Sequence, residues 1–171
     1  MAHRRLTGVL LVGGASSRFG SPKALAVLDG ETLAERAWRI LGEACDEVLA
    51  VGKVSDALPL PFPILDDGAA DRAPIHGVIA GLAAAKHDVV VFLPVDCPLV
   101  TSTMLREFGE AVAVPQTGPL PGAYSKSMLP ELTGRVAAGQ LSLRGANPTT
   151  LEVADSLLAD VDTPADLARI A

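Results

Sequence analysis

The chain has 171 residues, 49 % of them apolar, 20 % charged and 4 % aromatic, with a formal net charge of −6. That length suits one domain, expected over residues 1–171, with a core that buries roughly two-thirds of the unfolded surface, and the apolar content excludes a disordered chain. The acidic balance argues against a free-standing nucleic-acid binder, whose partner is a polyanion.

Strands and helices are expected to alternate along the chain. Val9–Val12 is a short apolar run closed by Gly13-Gly14, which reads as a buried strand entering a loop. Ala24–Leu28 before Asp29-Gly30 reads as a short strand and a turn. Thr32 and Glu35 form a capping box that opens a helix running to about Ala44. Glu47–Val51 is the next strand, and the Pro-rich connection 58–63 leads to a third at Pro63–Leu65. Ile75–Lys86 is Ala-rich and helical. Asp88–Leu93 carries five consecutive apolar residues, as a central parallel strand covered on both faces would, and it ends in Pro94-Val95-Asp96. A helix over 102–112, strands around Val112–Pro115 and Pro121–Tyr124, and a helix from about Lys126 to Ala138 follow. Thr163 is placed to cap a last helix, with Pro164 at its first position. The alternation predicts an α/β fold, a mostly parallel open sheet within three layers. Such sheets bind ligands beyond the carboxyl ends of their strands.

The richest segment is LLVGGASSRFGSPKAL, residues 10–25. Its glycines allow sharp turns and bring backbone amides close to a ligand. Arg18 can fork onto phosphate oxygens, and Lys23, one of four lysines in the chain, can act as a point charge. The Walker A spacing is absent, because Ser21-Pro22 separates Gly20 from Lys23, and so is the G-x-G-x-x-G pattern. The plainer reading is a surface turn with two solvated cations. Asp96, after the central strand, is either a metal-binding acid or an ordinary turn residue.

Cys45 and Cys97 make neither a disulfide framework nor a metal site, so a reduced, cytoplasmic setting is expected. No stretch approaches the roughly 20 apolar residues of a membrane span. Trp38 is expected in the core, Arg36 and Arg39 on a solvated helix face, and His87 in solvent. His76 reads as a helix-start residue, and Cys97 as a packed small residue rather than a nucleophile. Tyr124 either lines a pocket or packs.

The segment LVGGASSRFGSPKAL (11–25) resembles the L-A-G-G-x-S-x-R-M-G-x-x-K signature of the molybdenum cofactor guanylyltransferase (MobA-like) nucleotidyltransferases. Similarity continues at Ile64–Asp67, Pro74–Gly77, Leu93–Pro98, Gly118–Tyr124 and Asp162–Leu167, blocks that span nearly the whole chain. The resemblance implies a Rossmann-related, GT-A-like fold. It implies magnesium-dependent transfer of GMP from GTP to molybdenum-loaded molybdopterin, with release of pyrophosphate. It also implies hand-over to proteins that mature molybdoenzymes, and neither nucleic acid nor a membrane as partner.

Residue by residue, the resemblance matches Leu11, Val12, Gly13 and Gly14 to the nucleotide-holding loop. Arg18 and Lys23 match its cations, and Asp96 the acid that binds metal and nucleotide. Asp67 matches a further nucleotide-contacting acid, with Asp66 as the alternative by a one-residue slip. Two departures stand out. Leu49–Lys53 lacks the family's base-contacting asparagine, and Asp160-Val161-Asp162 replaces an asparagine-rich stretch. The second departure resembles the cytidylyltransferase relatives and makes Asp162 a candidate second metal ligand. CTP therefore stays open beside GTP. So do a nucleotidyltransferase with another acceptor and a non-catalytic nucleotide-binding domain.

Overall fold

Leu6–Leu11 forms the central strand, β1, of the computed structural model, which describes residues 2–13 and 19–171. A tight hairpin follows, β2 (Val27–Leu28) with β3 (Glu31–Thr32), and then α1 (Leu33–Ala44) and β4 (Glu47–Gly52). Next come β5 (Leu65–Asp66), α2 (Pro74–Ala84), β6 (Val89–Pro94) and α3 (Ser102–Ala111). The chain continues through β7 (Val114–Pro115), β8 (Gly122–Ser125), α4 (Leu129–Ala137), β9 (Thr150–Leu151) and α5 (Pro164–Ile170).

The main sheet has the order β5-β4-β1-β6-β8, and only β8 runs antiparallel. Successive side chains of a strand point to opposite faces, and here both faces are apolar. Leu6 and Leu10 of β1 and Val89, Val91 and Leu93 of β6 join a core with α1 and α3. Val9, Leu11, Val90 and Phe92 join a second core with α2 and α4. This is the mostly parallel, three-layer α/β arrangement expected from the alternation. Close approach of the layers depends on glycine. A Cβ on Gly8 would meet Leu41 Cδ2 of α1 at 2.9 Å, and one on Gly81 of α2 would meet Phe92 Cε1 at 2.7 Å.

The capping box of α1 is formed. Glu35 N donates to Thr32 Oγ1 at 3.1 Å, and Thr32 N donates to Glu35 Oε2 at 2.9 Å. Thr32→Ala removes one of these bonds and should cost about 1 kcal/mol. A lowered urea midpoint with an unchanged m-value checks it.

Several segments depart from the expected pattern. Residues 23–25 form a 3₁₀ turn, closed by Leu25 N to Pro22 O and Ala26 N to Lys23 O, so only Val27–Leu28 remains as strand. Pro63 has no N–H to give to a ladder, and pairing with β4 starts at Leu65 opposite Val51. Val112 ends α3 with φ of 49°, which delays the next strand to Val114. That strand pairs with β9, away from the main sheet. Trp38 is half-buried rather than fully in the core. It stacks on Phe62, ring centroids 4.1 Å apart, and pins the Pro-rich connection to α1. Arg36 is not solvated: its Nε donates to Pro98 O at 2.8 Å and ties α1 to the turn after β6. Arg39 is exposed and pairs with Glu31 and Glu43.

Candidate active site

The carboxyl ends of β4, β1 and β6 are level. Leu11 lies opposite both Val51 and Pro94, Val12 N donates to Val51 O at 3.0 Å, and Val95 N donates to Leu11 O at 3.1 Å. Whatever follows these strands therefore emerges along one edge, and there a cavity of about 550 Å³ opens. Leu11, Val12 and Gly13 line it at and after the end of β1, Gly52 and Lys53 at the end of β4, and Asp96 just after β6. β1 and β4 meet closely there: a Cβ on Gly52 would lie 2.7 Å from Val12 Cγ2.

Asp96 is one of three acids at this edge. Val161 N donates to Asp96 O at 2.7 Å and brings the segment 160–162 across the end of β6. Extended backbone alternates its side chains, so buried Val161 turns inward while Asp160 and Asp162 turn to the cavity that both line. Carboxylate oxygens of Asp96, Asp160 and Asp162 lie within 4.8 Å of one another. Asp162 is further fixed by the cap of α5, where Asp166 Oδ2 accepts from the N–H groups of both Asp162 and Thr163.

Lys23 reaches the same acids. Its Nζ lies 2.9 Å from Asp162 Oδ1 and 3.9 Å from Asp96 Oδ2, with 13 % of the side chain exposed. The 3₁₀ turn that replaced the expected strand is what aims it there. Burial pushes the Asp96 carboxyl above its ordinary value. The Lys23 ammonium and the Cys97 thiol, a donor at 3.4 Å, pull it back, and Asp160 and Asp162 push it up again. Three hard oxygen donors at such spacing fit a magnesium- or manganese-type cation.

A second charged pair sits on the β4–β5 side. Lys53 Nζ donates to Asp67 Oδ1 at 2.7 Å and to Ala69 O, and only 9 % of either side chain is exposed. Asp67 Oδ1 also accepts from Ala69 N at 3.0 Å, and Asp67 N donates to Gly52 O at 3.0 Å. Both residues line the cavity. Asp66 is used differently: its carboxylate accepts from Val54 N and Gly68 N and shapes the turn. Of the two acids left open by the sequence, Asp67 is the one at the cavity. Arg72 also lines it and is held in a forked pair by Asp56, at 2.6 and 3.0 Å.

The structure thus brings together Leu11, Val12, Gly13, Lys23, Asp67 and Asp96. Gly14 and Arg18 lie outside the described residues. Lys53, Arg72 and Asp160 were not singled out from sequence. The only signal for Asp160 was its i, i+2 spacing from Asp162.

Other residues resolve simply. His76 is buried at the start of α2, its Nε2 within 2.8 Å of Asp71 Oδ1, a structural position. His87 is half-buried, and its backbone N–H donates to Thr7 Oγ1. Tyr124 is fully buried, donates from its hydroxyl to Pro119 O at 2.8 Å and packs edge-on to Phe92. Cys97 is buried, and burial together with Asp96 pushes its thiol well above the ordinary range, which leaves no thiolate for nucleophilic work. Among the described residues no helix is long and apolar enough to cross a membrane.

Comparison with known proteins matches residues 8–147 to the family model described as the MobA-like NTP transferase domain. The matched span stops short of Asp160 and Asp162. A Deinococcus radiodurans protein named "Probable molybdenum cofactor guanylyltransferase" is 35 % identical, over 96 % of this chain and 93 % of its own length. The crystal structure of molybdopterin-guanine dinucleotide biosynthesis protein A from Archaeoglobus fulgidus superposes with a TM-score of 0.78 at 20 % identity, over 95 % of both chains. A Mycobacterium tuberculosis protein solved as a complex with manganese superposes with a TM-score of 0.67 at 23 % identity, over 97 % of both chains.

Proposed function

Because the chain belongs to the MobA-like NTP transferase family and is a nucleotidyltransferase, we propose that it moves GMP from GTP onto molybdenum-loaded molybdopterin and releases pyrophosphate. The observation that carries this reading is the group Asp96, Asp160, Asp162 and Lys23, gathered at the carboxyl ends of β1 and β6. The relative named as a probable molybdenum cofactor guanylyltransferase supports the donor and acceptor. Residues 1–171 act as one catalytic unit in this reading, since the segment 160–162 completes a site begun by β1 and β6.

An oxygen of the acceptor's terminal phosphate attacks the α-phosphorus of GTP. The new P–O bond forms as the bond from the α-phosphorus to the bridging oxygen breaks, and pyrophosphate leaves with both electrons. The attacking phosphate is already ionised at neutral pH, so no general base is needed. Positioning and charge neutralisation supply the rate. The backbone of Leu11, Val12, Gly13 and Gly14 holds the nucleotide against the end of β1, and Asp67 contacts it from just after β5. Lys23 neutralises charge that develops on the leaving pyrophosphate, with Arg18 assisting. Asp96, with Asp160 and Asp162, would hold magnesium, which when bound offsets the charge of the triphosphate oxygens. The protein works in the cytoplasm and passes its product to maturation proteins of molybdoenzymes.

The test is incubation with magnesium, molybdenum-loaded molybdopterin and either GTP or CTP, with the product identified by mass spectrometry. GTP should yield a guanine dinucleotide and one pyrophosphate per product. A cytosine dinucleotide would replace the guanylyl reading by the cytidylyl one that the Asp160-Val161-Asp162 stretch recommends. No pyrophosphate with either nucleotide overturns both.

A further inference from the structure

Gln116 lines neither the cavity nor a core, yet its side-chain amide makes three hydrogen bonds to one distant stretch of chain. We infer that Gln116 is a positioning residue, which clamps the segment after β9 and so holds Asp160 at the cation site. The inference rests on the reading of Asp96, Asp160 and Asp162 as that site and adds the residue that keeps it assembled.

The clamp begins where the backbone ladder ends. β7 pairs with β9 over two residues only, Val114 opposite Thr150 and Pro115 opposite Leu151. Beyond Pro115 the Gln116 side chain takes over. Its Oε1 accepts from Val153 N at 3.0 Å, and its Nε2 donates to Val153 O at 2.7 Å and to Asp155 Oδ1 at 2.8 Å. A primary amide has two N–H donors, so both are spent here. Val153 N can only donate and the Asp155 carboxylate only accept, so a single orientation of the amide serves both.

The clamped residues lead directly to the acids. Asp155 opens a 3₁₀ turn, Asp155–Leu158, and Leu158 reaches the cavity. Leu157 and Leu158 lean on the core beside α1 and α3. Such apolar packing is non-directional and sets the depth of the turn. Hydrogen bonds are directional, and those from Gln116 set its angle. Asp160 follows two residues after the turn, and Val161 is then tied to Asp96 O.

Asp160 depends on this path more than its neighbour does. Asp162 has supports of its own: its N–H donates to Asp166 Oδ2 at 3.0 Å, and its carboxylate meets Lys23 Nζ at 2.9 Å. Asp160 is exposed, and no described residue donates a hydrogen bond to its carboxylate. Its oxygen nevertheless lies within 4.8 Å of those of Asp96 and Asp162. The backbone on either side sets that place, with Val161 behind it and the Gln116 clamp ahead.

The experiment titrates manganese into the intact protein without nucleotide and follows the free ion by electron paramagnetic resonance. Asp160→Asn should weaken binding roughly tenfold. Gln116→Leu, which alters none of the three acids, should weaken it by a similar factor, the low end of what is lost when groups that orient metal ligands are removed. The double variant should bind no more weakly than the weaker single one, because both changes remove the same contribution. Gln116→Glu loses both donors and sets a carboxylate against Asp155. Adding Asp155→Asn, which can donate to that carboxylate, should restore part of the affinity. Thr32→Ala, which costs stability at α1, should leave manganese affinity unchanged and so separates lost stability from lost position.

Should Gln116→Leu fail to fold, Asp155→Ala, which leaves the Val153 bonds in place, enters the same cycle with Asp160→Asn and should again show losses that do not add. A lowered melt with unchanged manganese affinity, or losses that add in full, overturns the inference and leaves the acid group standing. Manganese binding indifferent to both Asp96→Asn and Asp160→Asn overturns the cation site and the inference with it.

Discussion

Asp96→Asn should lower pyrophosphate release by roughly a thousandfold, the scale of losing a charged group aimed at a phosphoryl transition state. The substitution keeps the size of the side chain and its carbonyl oxygen. It also keeps the backbone bond from Val161 N to Asp96 O, so the segment 160–162 stays in place. What disappears is one of three negative charges whose oxygens lie within 4.8 Å of each other. The fold should not suffer. Burial holds the Asp96 carboxyl above its ordinary value, which means the charged form is disfavoured in the folded state, and a neutral amide relieves that. A thermal melt without metal should therefore be unchanged or slightly higher. Unchanged turnover with an unchanged divalent-ion titration would remove Asp96 from the site.

Lys23→Met should reduce turnover by roughly a hundredfold to a thousandfold, since the leaving pyrophosphate loses its matching charge while the lysine stem is preserved. This variant should differ from Asp96→Asn in its stability. Lys23 Nζ sits 2.9 Å from Asp162 and 3.9 Å from Asp96, and its removal leaves three crowded carboxylates with less compensation. Breaking a mostly buried pair from one side is destabilising. The melt should fall in metal-free buffer and recover when magnesium is added. Near-normal pyrophosphate release would exclude Lys23 from the chemistry. A melt that magnesium does not restore would separate the lysine from the acid group.

Legibility in the sequence followed the range of the interactions. The central β6 run, the Thr32–Glu35 box and the Thr163 cap depend on neighbours within a few residues, and each stands where the pattern places it. The short pairs β7 and β9 offer two residues each, too few for a period to register. Asp160 stayed unread because its position depends on a hydrogen bond from Val161 to a residue of a distant strand end. Lys53 looked like the polar end of a strand, and its buried pairing exists only because β5 lies beside β4. Arg36, by its helical position, belonged with solvent, and the turn at Pro98 captured it instead. The resemblance reached Lys23, Asp67 and Asp96 because single residues carry the motif. It did not reach Lys53 or Asp160, whose places are set by topology.

The acid group is assembled from two widely separated parts of the chain, and this gives the site a history during synthesis. Every strand of the main sheet, and with it the slot between β1 and β4, precedes Asp160 and Asp162 in order of translation. Synthesis proceeds from the N-terminal side. The growing chain therefore carries the residues of that slot before it carries the full group of three acids. Removal of the residues after β9 would leave Asp96 as the one member of the acid group at the end of β6.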